Sequence, residues 1–142
     1  MRLHCLAVFA AALLLSAAPI VADDKKDQDE VQGTWEVTTM FNNGKPEPGT
    51  VKGATLVIKG DKITMGMRNL TFKLDAAKKP KAIDAVAKDG AAEGKTILGI
   101  YEVKGDTLTL CMANEPDGKR PTELAPKEGD KAVIFTAKRA KP

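Results

Sequence analysis

Hydrophobic residues alternate with polar ones along this chain in short runs, and each run is interrupted by glycine, proline, asparagine or aspartate. This period of two is typical of successive antiparallel strands with one buried and one wetted face. Two Gly-Asp pairs, at 60–61 and 105–106, indicate tight hairpins. The pattern predicts eight strands, at residues 33–41, 53–59, 62–67, 69–75, 81–86, 95–103, 106–113 and 131–138.

Eight short strands joined mostly by tight turns favour an all-β fold, either a single antiparallel barrel or a sandwich. A barrel is preferred because closure removes the exposed edges that a flat sheet would leave. The alternation also assigns inner and outer faces to each strand. The predicted inner face includes Trp35, Val37, Thr39, Phe41, Met65, Met67, Leu108, Leu110, Met112, Val133 and Phe135.

The first 22 residues have the organisation of a secretory signal peptide. Arg2 and His4 give a basic start, and the apolar run "CLAVFAAALLLSAA" is short for a membrane span. Small Ala22 then precedes the charged "DDKKDQDE". The alternative interpretation is a retained membrane anchor. We predict a secreted or periplasmic protein without a membrane span after cleavage, with a disordered polar spacer at 23–32 and one barrel domain at 33–139.

Cleavage of the signal peptide would also remove reactive side chains from the chain. His4 is the one histidine of the chain, and loss of Cys5 leaves Cys111 as the one cysteine. Nucleophile systems that need histidine, histidine-ligated zinc and an internal disulfide are thereby excluded. Loss of Arg2 lowers the formal net charge from +3 to +2, too little to favour nucleic acid as a partner. We predict no catalytic residues, no metal and no cofactor.

The segment "VQGTWEV" places Gly33 and Trp35 at the start of the first strand. Glycine at a strand start allows another group to approach the backbone closely, and a tryptophan two residues later plugs the barrel end. A guanidinium over the indole face adds a cation–π contact worth about 0.5–2 kcal/mol. The candidates are Arg120 and Arg139, and Arg120 is preferred because Pro121 restricts the adjacent backbone.

This closing device resembles that of lipocalin-like barrels, in which a G-x-W on the first strand meets a basic residue from near the C-terminus. Longer blocks resemble a family of small secreted or periplasmic proteins known mainly from planctomycete bacteria. These blocks are "VQGTWEV", "GATLVIKGDKIT", "FKLDAAKKPKAID", "GKTILGIYEVKGDTLTLCMA" and "KRPTEL". The resemblance implies a lipocalin-like fold and supplies no catalytic residues, because that family has no known biochemical activity.

Two side chains of the mature chain retain reactive chemistry. Asp84 in "KAIDAVA" either faces inward as a buried acid or points outward, where it pairs with a lysine such as Lys81. Cys111 is expected on the outer face of its strand, opposite Leu110. A thiol exposed to solvent would be reactive and would predict a disulfide-linked dimer, whereas a thiol covered by a loop would be inert.

The inner methionines Met65, Met67 and Met112 adapt to varied apolar partners, so they either line a ligand cavity or fill the core. An eight-stranded barrel is filled by side chains or admits one small ligand. We predict a non-enzymatic barrel that binds a small apolar or amphipathic molecule. The alternative is a protein–protein interaction module with a packed barrel, such as a hydrolase inhibitor or an envelope component, which makes contacts through 114–130 and 23–32.

Overall fold

The computed structural model describes residues 22–125, 127–129 and 131–141. The predicted signal peptide lies outside these residues except for Ala22. The described chain forms α1 (Ala22–Glu30), β1 (Gly33–Asn42), β2 (Lys45–Pro46), α2 (Pro48–Val51), β3 (Thr55–Lys59), β4 (Lys62–Met65), β5 (Arg68–Asp75), β6 (Ala82–Ala87), β7 (Thr96–Lys104), β8 (Thr107–Ala113) and β9 (Ala132–Arg139). Each of the eight predicted strands is present, and β2 is a two-residue addition.

The strands form one antiparallel sheet that closes on itself. From β3 onward each strand pairs with the next strand along the chain, and β1 pairs with both β3 and β9. The seam between β1 and β9 runs from Trp35, opposite Arg139, to Asn42, opposite Val133. The prediction of a closed eight-stranded antiparallel barrel is therefore confirmed.

A β-bulge in β1 reverses the predicted alternation of its second half. The register of β1 against β9 shifts between Val37 and Thr39. Because a bulge inserts one extra residue, every side chain beyond it changes face. Thr39 is exposed and Phe41 packs against a cluster outside the barrel, so their predicted inner positions are wrong. Met40 takes the inner face instead.

The middle of the barrel is filled by its own side chains. The buried cluster includes Trp35, Leu56, Ile58, Ile63, Phe72, Ile83, Tyr101 and Leu108. The void that remains among them measures about 10 Å³. A space of this size holds at most about one water molecule. This half of the barrel therefore has no room for a ligand.

Trp35 closes one end of the barrel, as predicted, but its basic partner is Arg139. The Trp35 side chain is fully buried, and its Nε1 donates a hydrogen bond to the Val31 carbonyl at 2.8 Å. The Arg139 guanidinium carbon lies 4.3 Å from the centroid of the indole ring. The choice of Arg120 was wrong because that residue lies elsewhere, where its Nη1 donates to the carbonyls of Ile83 and Gly99.

Gly33 allows Arg139 to reach the indole. Its φ of +119° is one that L side chains rarely adopt. A Cβ at this position would lie 3.0 Å from Nη1 of Arg139. In the G-x-W pattern, Trp35 therefore fills the barrel end and Gly33 leaves the space that the Arg139 guanidinium occupies.

The segment predicted as a disordered spacer is instead helical over most of its length, in α1, and it caps the closed end. Arg139 donates from Nη2 to the Glu30 carbonyl at 2.6 Å and from Nη1 to the Gln32 carbonyl at 2.7 Å. The Gln32 amide both donates to and accepts from the backbone of Gly60, in the β3–β4 turn. These hydrogen bonds satisfy carbonyls at the helix C-terminus and hold a polar segment that has little apolar surface to bury.

We expect Trp35→Ala to lower the free energy of unfolding by about 3–5 kcal/mol, because it leaves a cavity in the plugged end. Chemical denaturation of the variant and the parent protein measures the difference. Met67→Ala is the control: Met67 is 95% exposed, so its truncation should change stability by less than about 0.5 kcal/mol. A loss below about 1 kcal/mol for Trp35→Ala would contradict the plug.

Fluorescence distinguishes Arg139 from Arg120, because Trp35 is the one tryptophan of the chain. We expect Arg139→Met to change the intensity and the maximum of its emission, since the stacked guanidinium is lost. Arg120→Met should leave both unchanged. Equal effects of the two substitutions would contradict the assignment.

Candidate functional site

An open cavity of about 650 Å³ lies at the end of the barrel opposite Trp35. It forms where β1 continues without β3 as its neighbour. The β1–β3 pairing ends at Glu36, opposite Thr55, and one further bond joins Val37 N to the Ala54 carbonyl at 3.0 Å. The second half of β1 pairs with β9 on its other side. Where the two strands diverge, β2 pairs with the end of β1 and α2 packs against β1.

The wall of this cavity combines apolar and polar surface, and its apolar part contains three methionines. It includes Val37, Met40, Met65, Met67, Val133 and Phe135. Polar side chains from Asn42, Thr55 and Asn114 and the charged Arg68 complete it. Unbranched thioether side chains adjust to ligands of different shape, so this wall suits an apolar molecule without a fixed outline.

The three methionines singled out from the sequence have different positions. Met65 is half-buried and lines the cavity, and Met112 packs inside against the buried cluster without lining it. Met67 also lines the cavity, but it is 95% exposed, so its assignment to an inner face was wrong. Gly66, with a φ of +60°, turns the chain before Met67 and ends the alternation of β4.

Asp84 lies on the outer side of the barrel and not in its interior. Its Oδ1 pairs with Nη2 of Arg120, and the Asp84 side chain is 48% exposed. The expected pairing with Lys81 is absent, because the Lys81 ammonium binds Asp27. Arg120 and Asp84 together fasten the segment after β8 to strands β6 and β7.

Cys111 is covered by that same segment. It lies on the outer face, as predicted, but only 1% of it is exposed. It packs with Ile100 and Ile134 beneath Leu124 and Phe41. Of the two alternatives, the structure therefore shows the covered thiol, and burial among apolar groups reduces thiol reactivity. A second recess, of about 610 Å³, is lined mainly by charged and polar residues of this covering segment.

Asp27 is a buried charged residue that sequence reasoning missed. It is 3% exposed, and its Oδ2 accepts hydrogen bonds from the Lys81 Nζ and the Tyr101 hydroxyl, each at 2.7 Å. Burial raises the pKa of Tyr101 well above its ordinary value, and the Asp27 carboxylate raises it further. The cluster joins α1 to the barrel. Its sequence carries no distinguishing signal, because Asp27 stands in a run of similar residues.

Comparisons with protein-family models, with curated proteins and with solved structures find no significant match. The resemblance to the planctomycete family stays a prediction. Among the described residues, no group of three histidine, cysteine or acidic side chains is placed to hold a metal ion. None of the helices in the described ranges is long and apolar enough to cross a bilayer.

The raised pKa of Tyr101 predicts alkaline instability. The unfolded tyrosine loses its proton near pH 10, whereas the native tyrosine keeps it, so stability falls as pH rises above about 10. Denaturation midpoints between pH 8 and 11 measure this slope, and Tyr101→Phe should make it shallower. An identical slope in the variant would contradict this origin.

Proposed function

We propose that this protein is a secreted or periplasmic, non-enzymatic carrier that holds one small apolar or amphipathic molecule at the open end of a lipocalin-like barrel. The observation that carries the proposal is the cavity of about 650 Å³ opposite the Trp35 plug. Small-molecule sites commonly measure about 300–1,000 Å³ and combine apolar walls with a few polar groups.

The architecture supports a carrier because one half of the barrel is packed with side chains and the other half is open. The packed middle, with its void of about 10 Å³, gives the cavity a firm floor. The mouth exposes Met67 almost completely. A bound apolar molecule would remove this side chain from water, which favours binding by about 25 cal/mol for each Å² of apolar surface covered.

The interaction-module alternative has weaker support. It depends on a barrel packed throughout and on contact segments that are available to a partner. The first segment, 23–32, is occupied at the closed end by the hydrogen bonds to Arg139 and Gly60. The second, 114–130, is fastened to the barrel through Arg120.

A pair of substitutions on β3 and the residue before it tests the carrier. Ala54 lines the cavity, whereas Val57 is 38% exposed on the outside of the same hairpin. We expect Ala54→Phe to weaken binding of the neutral dye Nile red by at least about tenfold, because the added ring occupies the cavity. Val57→Phe should bind the dye with the same affinity as the parent protein. Fluorescence titration measures both.

Native mass spectrometry of the protein, purified after secretion by its own cells, tests whether a natural ligand is bound. We expect a species heavier than the chain, which separates into protein and a small molecule on denaturation. The carrier proposal fails if the purified protein takes up neither Nile red nor any component of a lipid extract of the same cells. It also fails if Ala54→Phe and Val57→Phe bind the dye equally well.

A further inference from the structure

Arg68 gives the open cavity a charge that its wall leaves unneutralised. It is the first residue of β5 and is exposed at the cavity. Among the described residues that line this cavity, Arg68 is the one charged side chain. It forms no ion pair with any described residue. A guanidinium at an apolar mouth is suited to a ligand whose anionic group lies beside its apolar part.

An acidic residue, Asp89, binds Asn69, the residue that follows Arg68 in β5. The carboxylate of Asp89 accepts hydrogen bonds from the backbone N and side-chain Nδ2 of Asn69, at 3.1 and 2.9 Å. Asn69 itself follows Arg68 in β5 and pairs with Thr64. Neither Asp89 nor any other described residue forms an ion pair or a side-chain hydrogen bond with Arg68, so its guanidinium donors are open to an external anion.

The depth of the cavity restricts the apolar part of the ligand. An apolar tail in this cavity would meet the packed middle of the barrel, where only about 10 Å³ is void, and could not extend toward Trp35. The side chains of Met40, Met65 and Phe135 in the outer half are the apolar surface that it would contact. These dimensions favour one short chain over a two-chain lipid.

We propose that the open cavity selects single-chain anionic amphiphiles, with Arg68 binding a carboxylate headgroup and the methionine-lined wall enclosing the tail. This selectivity rests on the proposed carrier function. Arg68 suits the role better than a lysine would, because its planar fork donates two parallel hydrogen bonds to a carboxylate. Asn42, also at this cavity, supplies a further amide donor, because Asn114 binds its Oδ1 and leaves its Nδ2 available.

Matched amphiphiles test the headgroup preference. Dodecanoate and dodecanol have the same tail and differ in charge, and isothermal titration gives their affinities for the purified protein. We expect dodecanoate to bind at least about tenfold more tightly, as a charge-assisted hydrogen bond predicts. Arg68→Gln should abolish the preference, and Arg68→Lys should retain part of it. Lys95→Gln removes an exposed charge outside the cavity lining and should change nothing.

Methionine methyl NMR locates the bound molecule. Met40, Met65 and Met67 line the cavity and should shift when dodecanoate binds, whereas Met112 lies outside the lining and serves as an internal reference. Higher ionic strength should weaken the dodecanoate affinity more than the dodecanol affinity, because salt screens an exposed charge.

The possible failures are distinguishable. Equal affinities for the two amphiphiles, with shifts of the cavity methyls, would overturn the role of Arg68 and leave the carrier function in place. An absence of binding by dodecanol, dodecanoate and Nile red would overturn both. Binding to phosphatidylglycerol vesicles without binding of soluble dodecanoate would also overturn the proposal, since it indicates a membrane surface as the partner.

Discussion

The stacking of Arg139 on Trp35 is the contact on which the closed end depends. The two residues face each other across the seam between the first and last strands. One guanidinium covers the indole at 4.3 Å and also donates to the carbonyls of Glu30 and Gln32. A planar cation can stack and donate in its own plane at the same time, whereas a lysine ammonium cannot. Arg139, in β9, therefore joins β1 to the C-terminal end of α1 and the segment that follows it.

This closure divides the barrel into two halves with different properties. Trp35 and its neighbours fill the closed half, and α1 covers it through the buried Asp27 and the amide of Gln32. The open half contains the cavity, at the end where β1 and β3 separate beyond Glu36. A firm floor and an adaptable mouth are what a small binding cavity requires. Under the proposed carrier function, stability and binding therefore belong to opposite ends.

The strands could be predicted from the sequence because their period of two is strong, and the Gly33–Trp35 plug could be predicted from its place at a strand start. The partner of Trp35 could not be chosen by local reasoning. Pro121 made Arg120 attractive, but the register of β1 against β9 decides in favour of Arg139. The helix α1 escaped notice because it is held by hydrogen bonds and has no apolar stripe to detect.

The bulge in β1 shows why the cavity was equally hard to foresee. Strict alternation places Thr39 and Phe41 inside, where a threonine would interrupt the apolar wall. One extra residue after Val37 brings Met40 to the cavity and sends Phe41 to the outer cluster over Cys111. Since both changes follow from the same register shift, the lining of the mouth and the cover of the thiol are coupled. Removing the bulge would exchange the two side chains and alter both sites together.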